Sequence, residues 1–378
     1  MRPPLQRLRN ILDFALASLS RRKGRNLSLL GVYTLVVFIL ASLIFFVQAL
    51  KGEARALLAQ APDMVVQRMV AGRHDPIDLG RAQAIEEMRG VSGVRPRLWG
   101  YYYDPIYGGN LTVMAVEDAE LPNDALWVGQ GVARNLRVKQ GDMITLRAYD
   151  GLPMLFTVQK VLSDASELIS ADLVLMSQSN VRALFAMREG TATDLAVDVG
   201  NARELPTIAA KIVERFPDAR PILKSEILRT YEAVFDWRGG LMVVVLASAI
   251  LSFVIFAWDK ATGLSAEERR EIGILKSIGW ESGDILLLKT WEGAVVSLTA
   301  FLAGTLLAYV HVFFFSASLF DHALRGWSIL FPRYRLAPSV DAYQLVILFV
   351  LTVLPYTVAT LVPSWRAAMV DPDTAMRS

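Results

Sequence analysis

Long apolar runs alternate with polar stretches along this chain, and the longest polar stretch separates the first run from the second. The first run, residues 28–48, holds no charged residue. Its 21 residues give a helix roughly 31 Å long at 1.5 Å per residue, close to the bilayer core of about 30 Å. Further runs cover about residues 239–258, 285–315 and 342–362. The pattern therefore predicts four membrane-spanning helices.

A different periodicity marks residues 5–20, where apolar positions recur every three or four residues with polar positions between them. Such spacing is typical of an amphipathic helix. We expect this helix to lie in the plane of the membrane interface. The alternative is an ordinary helix packed against a neighbouring element. The apolar positions are Leu5, Leu8, Ile11, Leu12, Ala15, Leu16 and Leu19.

The long polar stretch, residues 51–236, alternates between strand-like and helix-like patterns, which predicts a folded α+β domain. Turn residues separate the elements, as at Gln140-Gly141-Asp142 and Asp150-Gly151. The predicted strands are Met64–Val70, Gly100–Tyr103, Leu111–Val116, Met143–Ala148, Met154–Val161, Leu173–Met176 and Asp194–Val199. The predicted helices are Asp78–Met88, Gly129–Asn135, Gln178–Phe185 and Ala202–Phe216.

Basic residues set the orientation, because cytoplasmic loops carry an excess of Lys and Arg. Seven of them precede the first span and four follow the second, against three between the third and fourth. We therefore expect an α-helical membrane protein with four transmembrane helices and an extracytoplasmic α+β domain inserted between the first and the second. The predicted segments are a cytoplasmic amphipathic helix (1–27), the first span (28–50), the extracytoplasmic domain (51–236), the second span (237–258), a short cytoplasmic helix (259–284), the third span (285–316), an extracytoplasmic loop (317–340), the fourth span (341–362) and a cytoplasmic tail (363–378).

Composition narrows the class further. Hydrophobic residues make up 53% of the chain, as expected for an integral membrane protein. The net charge of +2, without a basic patch interleaved with aromatics, argues against a nucleic-acid partner. The absence of cysteine excludes disulfides, thiolate metal sites and cysteine nucleophiles. No phosphate-binding glycine loop of the P-loop or dinucleotide type is present, so ATP, if used, must be bound by another chain.

A short charged helix, residues 267–280, lies between the second and third apolar runs. We expect Ile272, Leu275 and Ile278 to form an apolar stripe that seats on the membrane end of the bundle. The Glu and Arg ridge would then face outward as a docking surface for a soluble partner. The alternative is that the charges only solvate a loop. Gly273 and Gly279 are poor helix formers and suggest either close approach of another backbone or a break before the third span.

The run Glu268-Arg269-Arg270-Glu271-Ile272-Gly273-Ile274-Leu275-Lys276-Ser277-Ile278-Gly279 resembles the Glu-Arg-x-x-Glu-Ile-Gly-x-Leu signature of the FtsX/MacB-like (type VII) ABC transporter permeases. Residues 128–146 are similar to a segment of that family's outer domain, and Glu292 with residues 293–304 resembles its third span. Residues 363–377 resemble its C-terminal tail, although Ser364-Trp365 stands where small residues are usual.

The resemblance implies a non-catalytic permease subunit of a bacterial cytoplasmic (inner) membrane, with both termini cytoplasmic. It implies a separate cytoplasmic ABC ATPase that binds ATP and Mg, a second permease copy or paralogue, and membrane lipid around the spans. A periplasmic adaptor or carrier protein would be a further partner. The implied ATPase-coupling residues are Glu267, Glu268, Arg269, Arg270, Glu271, Ile272, Gly273, Leu275, Lys276 and Gly279, and the implied tail contacts are Arg366, Asp371 and Pro372.

The implied function is export or extraction of a lipid-like, lipoprotein or amphipathic substrate, driven by movements of the outer domain. A division-type scaffold that activates a cell-wall hydrolase without transport is the alternative, and the roughly 185-residue insert disfavours it. A membrane enzyme or stand-alone sensor is a third reading. Against it, neither a Ser/His/Asp arrangement nor a paired-carboxylate motif stands out in the sequence.

Other polar and aromatic residues are weaker candidates. The aromatic residues near residue 100 either pack in the domain or form a surface for a hydrophobic substrate. Glu292 either bonds locally or takes part in substrate or proton handling. His74, His311 and His322 lack acidic neighbours at ligand spacing, so no metal site is predicted. The candidate substrate-surface residues are Trp99, Tyr101, Tyr103 and Tyr107.

Overall fold

The computed structural model describes residues 4–59, 61–105, 108–116, 121–162, 167, 170–230, 266–320 and 336–368, with a few single positions between 231 and 265. The chain divides into two compact units. The first comprises Met1–Ala49, Phe235–Ser318 and Ala337–Ser378, and the second comprises Leu50–Val234 and Leu319–Leu336.

Helices occur in both units, and the strands lie in the second unit. The helices are α1 (Pro4–Arg21), α2 (Lys23–Ala59), α3 (Leu79–Glu86), α4 (Gln130–Leu136), α5 (Gln178–Phe185), α6 (Leu205–Arg215), α7 (Ala266–Ser277), α8 (Ser282–Phe313) and α9 (Ala342–Ala368). The strands are β1 (Met64–Val70), β2 (Arg73–Asp75), β3 (Ile77–Asp78), β4 (Val91–Arg97), β5 (Trp99–Asp104), β6 (Gly109–Val116), β7 (Ala125–Val128), β8 (Met143–Arg147), β9 (Pro153–Val161), β10 (Leu173–Ser177), β11 (Thr191–Ala192), β12 (Asp194–Val199) and β13 (Ala219–Leu223).

Three of the helices are long and apolar enough to cross a membrane: Asn26–Ala56 within α2, Ser282–Phe313, and Ala342–Ala359 within α9. They coincide with the first, third and fourth predicted spans. The predicted span at residues 237–258 lies almost wholly outside the described residues. The count of four spans therefore stays a prediction.

Close helix packing builds the core of the first unit. A Cβ atom added at Gly304 of α8 would lie 2.8 Å from the Val37 Cβ and 2.9 Å from the Thr34 carbonyl oxygen of α2. Only glycine permits so close an approach, the usual reason for small residues between helices in membranes. Tyr33 of α2 stacks on Tyr356 of α9 with ring centroids 5.0 Å apart. Through these contacts α2 packs against both α8 and α9.

The second unit contains two larger sheets, each with its own core. One sheet has the order β13-β1-β12-β4, with β2 paired to β1. Its core includes Met64 and Leu195 from the strands together with Ile85 of α3 and Ile208 and Ile212 of α6. The strands of this sheet bury alternate side chains beneath amphipathic helices, which is the arrangement that an α+β domain requires.

The other sheet has the order β5-β6-β10-β7-β9-β8. Its core includes Val113, Phe156 and Met176 from the strands, together with Val132 of α4 and Val181 of α5. The two edge strands of this sheet approach each other, since the backbone N–H of Arg147 on β8 donates to the Tyr102 hydroxyl on β5 at 3.0 Å. The predicted α+β character of the 51–236 stretch is confirmed.

Candidate functional site

The charged helix α7 ends in a sharp turn at Gly279. The N–H of Gly279 donates to the Lys276 carbonyl and that of Trp280 to the Leu275 carbonyl, both at 3.0 Å. This pair of bonds is the Schellman arrangement that satisfies the last carbonyls of a helix. Gly279 has φ of 97°, a left-handed conformation that glycine adopts without strain. Of the two readings left open for this glycine, the break before the next helix is correct, since no atom lies within 4 Å of an added Cβ.

One face of α7 packs against the rest of the first unit. Leu275 belongs to a buried cluster with Ile11 and Ala15 of α1 and Leu288 of α8. Ile272 is equally buried, at 6% exposed. The predicted stripe is wrong in its third member, because Ile278 is 68% exposed. Successive three-residue steps rotate by about 60° around a helix, so Ile278 lies roughly 120° from Ile272 and beside the exposed Ile274.

The cluster also bears on the two readings of α1, although the placement of this helix in the membrane interface stays a prediction. Its Ile11 and Ala15 are buried against α7 and α8, as the packed alternative requires. Phe14 extends the contact to Trp280, with ring centroids 5.5 Å apart. Leu8 and Leu16, in contrast, stay 40% and 47% exposed. One apolar face of α1 therefore packs against α7 and α8, while Leu8 and Leu16 lie on its exposed side.

Glu271 faces inward, contrary to the expectation of an outward Glu and Arg ridge. Its two carboxylate oxygens accept from Arg21 at 2.7 Å and from Arg22 at 2.6 Å. These bonds tie the middle of α7 to the junction of α1 and α2. Arg270, the neighbouring ridge residue, is exposed as predicted. The side chains of Glu267, Glu268 and Arg269 lie outside the described residues.

A second ionic contact ties α1 to the start of α8. Arg7 donates to both carboxylate oxygens of Asp284, at 2.6 and 2.8 Å. Asp284 also forms a reciprocal capping box with Glu281, so the same carboxylate organises the helix end. The hydrogen bond to Asp284 raises the pKa of Arg7. The segment from α7 to α8 is thus held by α1 at two separated points, and we call this set of contacts the α1 brace.

The exposed face of α7 is partly apolar. Arg270, Ile274, Ser277 and Ile278 are exposed, and their spacing of four, three and one places them along one side of the helix end. Ile274 is 48% exposed. This face offers two isoleucines and a cation to a partner. The sequence motif could have suggested Ile274, since it is the apolar residue that falls off the Ile272–Leu275 stripe.

The predicted aromatic surface divides into an anchored and an exposed part. The Trp99 indole N–H donates to Asp194 at 2.9 Å, and Asp194 is buried and also bound by Arg97. Trp99 therefore has a packing role. Tyr101 and Tyr103 point from β5 to the outside and are 71% and 58% exposed. Tyr107 lies outside the described residues.

The remaining polar candidates have local contacts. Glu292 accepts from Lys289 one turn earlier in α8, at 2.7 Å. Among the described residues, no group of three His, Asp or Glu side chains is placed to hold a metal ion. His74 contacts the Thr193 carbonyl at 3.0 Å and His311 the Ser42 hydroxyl at 3.1 Å, while His322 lies outside the described part of the chain.

The predicted tail contact falls at the limit of the described residues. Arg366 lies in the last turns of α9, which continues to Ala368. Its side chain, like Asp371 and Pro372, lies outside the part of the chain that the structure describes. The role of these residues stays a prediction.

The first unit contains long apolar helices and a short charged helix held by the α1 brace, and the second unit is an α+β domain. Together these features define an integral membrane protein with a large polar domain. Residues 239–372 match the family model of the FtsX-like permease C-terminal domain. This part of the chain, about a third of its length, is therefore similar to the FtsX-like permeases. The resemblance drawn from the α7 motif is confirmed.

Two solved structures are also similar to this chain. The periplasmic region of MacB from Actinobacillus actinomycetemcomitans is 11% identical with a TM-score of 0.32, covering 45% of this chain and 92% of that one. The extracellular domain of the noncanonic ABC-type transporter YknZ from Gram-positive bacteria is 10% identical with a TM-score of 0.30, covering 42% of this chain and 98% of that one. A comparison with curated protein sequences returned no match.

Proposed function

We propose that this chain is the membrane subunit of an ABC transporter, which couples ATP hydrolysis by a separate cytoplasmic ATPase to movements of its extracytoplasmic domain. The observation that carries the proposal is α7, a short helix that is braced from behind and presents Arg270, Ile274 and Ile278 to the outside. A helix that is held on one face by the protein and exposes apolar side chains on the other face is suited to docking into a groove of a partner.

The contacts of α7 provide a route for force. A partner that displaces α7 also displaces α1, through the Leu275 cluster and through the bonds from Glu271 to Arg21 and Arg22. Because those arginines lie at the junction with α2, the displacement reaches the helix that leads into the α+β domain. The Arg7–Asp284 pair carries the same movement to α8.

The proposal also covers the substrate and the assembly of the protein. We place the protein in a bacterial inner membrane, as a dimer with a second copy or paralogue, and assign it export or extraction of a lipid-like, lipoprotein or amphipathic substrate. Tyr101 and Tyr103, both exposed on β5, are the residues we assign to contact with such a substrate or with an accessory protein.

Replacement of Ile274 by Asp tests the docking face. A charge at the centre of an apolar contact is left without water or a partner, so we expect about a tenfold or greater loss of affinity for the ATPase. The measurement is co-purification of the tagged full-length protein with its ATPase, together with the stimulated rate of ATP hydrolysis.

Asn10→Asp serves as the control, because it adds the same charge at an exposed position of α1. The control should bind the ATPase as the parent protein does. An Ile274→Asp variant that is correctly folded and still binds and stimulates the ATPase normally would remove the docking assignment.

A further inference from the structure

An apolar groove opens between α1, α2 and α8. Leucines of α1 and α2 form two of its walls, and valines of α8 form the third. Its volume is about 270 Å³. The apolar lining residues are Leu16, Leu19, Leu27, Leu30, Val295 and Val296.

The bend between α1 and α2 creates this groove. The side-chain amide of Asn26 donates to the Leu19 carbonyl at 2.9 Å, and its backbone N–H donates to the Arg22 carbonyl at 3.1 Å. These two bonds fix the angle at which α1 leaves α2. Because α1 is held against α7 and α8 through Ile11 and Ala15, a gap remains between its last turns and α2, beside Leu19.

The mouth of the groove carries positive charge. The junction sequence is Arg21-Arg22-Lys23-Gly24-Arg25. Glu271 pairs with Arg21 and Arg22, whereas Lys23 is exposed, lines the groove and has no acidic side chain within salt-bridge distance in the part of the chain that the structure describes. Basic pockets between spanning helices attract the headgroups of anionic lipids.

The groove also lies at the depth where an acyl chain is available. Asn26 is the first residue of the membrane-length apolar helix, so Lys23 precedes the apolar region by one turn, while Leu27 and Leu30 lie inside it. A ligand with a charged head beside Lys23 would therefore have its tail against Leu27, Leu30 and Val296. Leu16 and Leu27 are 47% and 62% exposed at the rim, an unfavourable state unless lipid covers them.

We propose that this groove binds one acyl chain of an anionic phospholipid from the leaflet on the side of α1, with Lys23 at the headgroup phosphate. The lipid fills the gap that the bent α1–α2 junction leaves, and so supports the brace. The inference goes beyond the proposed function and does not depend on it, because the site lies within one chain and needs no ATPase.

Native mass spectrometry of the full-length protein, stripped of lipid in detergent, tests the site with dioleoyl phosphatidylglycerol and dioleoyl phosphatidylcholine. We expect one tightly bound phosphatidylglycerol, held about fivefold more tightly than phosphatidylcholine. Thr299 is exposed at the groove wall, and Thr299→Phe should weaken binding of both lipids about tenfold by occupying the space of several methylenes. Leu302→Phe, on the same helix but outside the groove lining, should leave both affinities unchanged.

A second variant tests the charge without changing the packing. Lys23→Gln should bind the two lipids equally, whereas Arg9→Gln, at an exposed position of α1 away from the groove, should keep the fivefold preference. Normal lipid binding by a folded Thr299→Phe variant would overturn the acyl-chain site. A Lys23→Gln variant that still prefers phosphatidylglycerol would overturn the assignment of the headgroup.

Discussion

Glu271 shows how a motif residue can have a role that the motif itself does not reveal. The signature around residue 271 predicted a charged helix, and the helix is there. Its orientation was not predictable, because the partners Arg21 and Arg22 lie 250 and 249 residues away in sequence. Long-range pairing of this kind leaves no local pattern. The contact of the Glu271 carboxylate with Arg21 and Arg22 therefore became visible only in the structure.

Replacement of Glu271 by Lys should remove one part of the α1 brace, the contacts with Arg21 and Arg22. The new cation would face Arg21 and Arg22, and because these groups are 20–53% exposed, we expect a modest loss of about 1 kcal/mol in the free energy of unfolding. The denaturant midpoint of the full-length protein in detergent measures the change.

The double variant Glu271→Lys with Arg22→Glu restores opposite charges and should recover at least half of that loss. Arg270→Glu provides the matched control, since it reverses an exposed charge on the adjacent residue and should have little effect. Equal effects of the two single charge reversals would show that Glu271 has no special partner.

At the scale of elements, the predictions from periodicity agree well with the structure. The boundaries of β1, α5 and β12 were predicted to the residue, because their alternating or helical patterns are strong. The strands β2, β3, β4, β7, β11 and β13 were missed, and two of them, β4 and β13, contain a proline, Pro96 and Pro221. Both are edge strands of their sheet, where a missing N–H is tolerated. An edge position is a tertiary property that the local pattern does not contain.

The predicted stripe of α7 failed for a different reason. Three-residue steps drift by about 60° each around the helix, so Ile278 lies beside the exposed Ile274 rather than in line with Ile272. The helix then stops at a turn whose geometry depends on a single residue. Gly279 was noted as a poor helix former, and its left-handed φ of 97° is what ends the element. This turn follows directly after the exposed Ile278.

Gly279→Ala should therefore destabilise the turn. A Cβ in the left-handed conformation costs roughly 1–2 kcal/mol, which we expect as a loss in the free energy of unfolding and as weaker binding of the ATPase. Gly283→Ala is the matched control, because Gly283 lies in the first turn of α8 with free space around it. The control should be neutral or stabilising by up to about 1 kcal/mol. A Gly279→Ala variant as stable as Gly283→Ala would contradict the assigned turn.

At the scale of the whole molecule, the helix α2 is one of the covalent connections between the first unit and the α+β domain. It runs without interruption through 37 residues. Gly52 lies within it, exposed and with no atom near a potential Cβ. A proline there removes a backbone hydrogen bond and clashes with the preceding turn, which kinks the helix at a cost of about 3 kcal/mol.

Gly52→Pro should therefore separate docking from movement. We expect normal binding of the ATPase, because α7 is untouched, but loss of any ATP-dependent change in the distance between spin labels at Asn10→Cys and Lys211→Cys. The chain has no native cysteine, so the two labels are unique. Gly52→Ala should behave as the parent protein, and an unchanged ATP response in Gly52→Pro would exclude α2 as the route.

The length of α2 has a mechanical consequence. At 1.5 Å per residue, its 37 residues measure roughly 55 Å, whereas the bilayer core takes up about 30 Å. A stiff rod of that length magnifies rotation: a tilt of about 10° about one end shifts the other end by roughly 10 Å. In the proposed coupling, a small displacement at Arg21 and Arg22 would therefore be enlarged at the end of α2 that precedes β1.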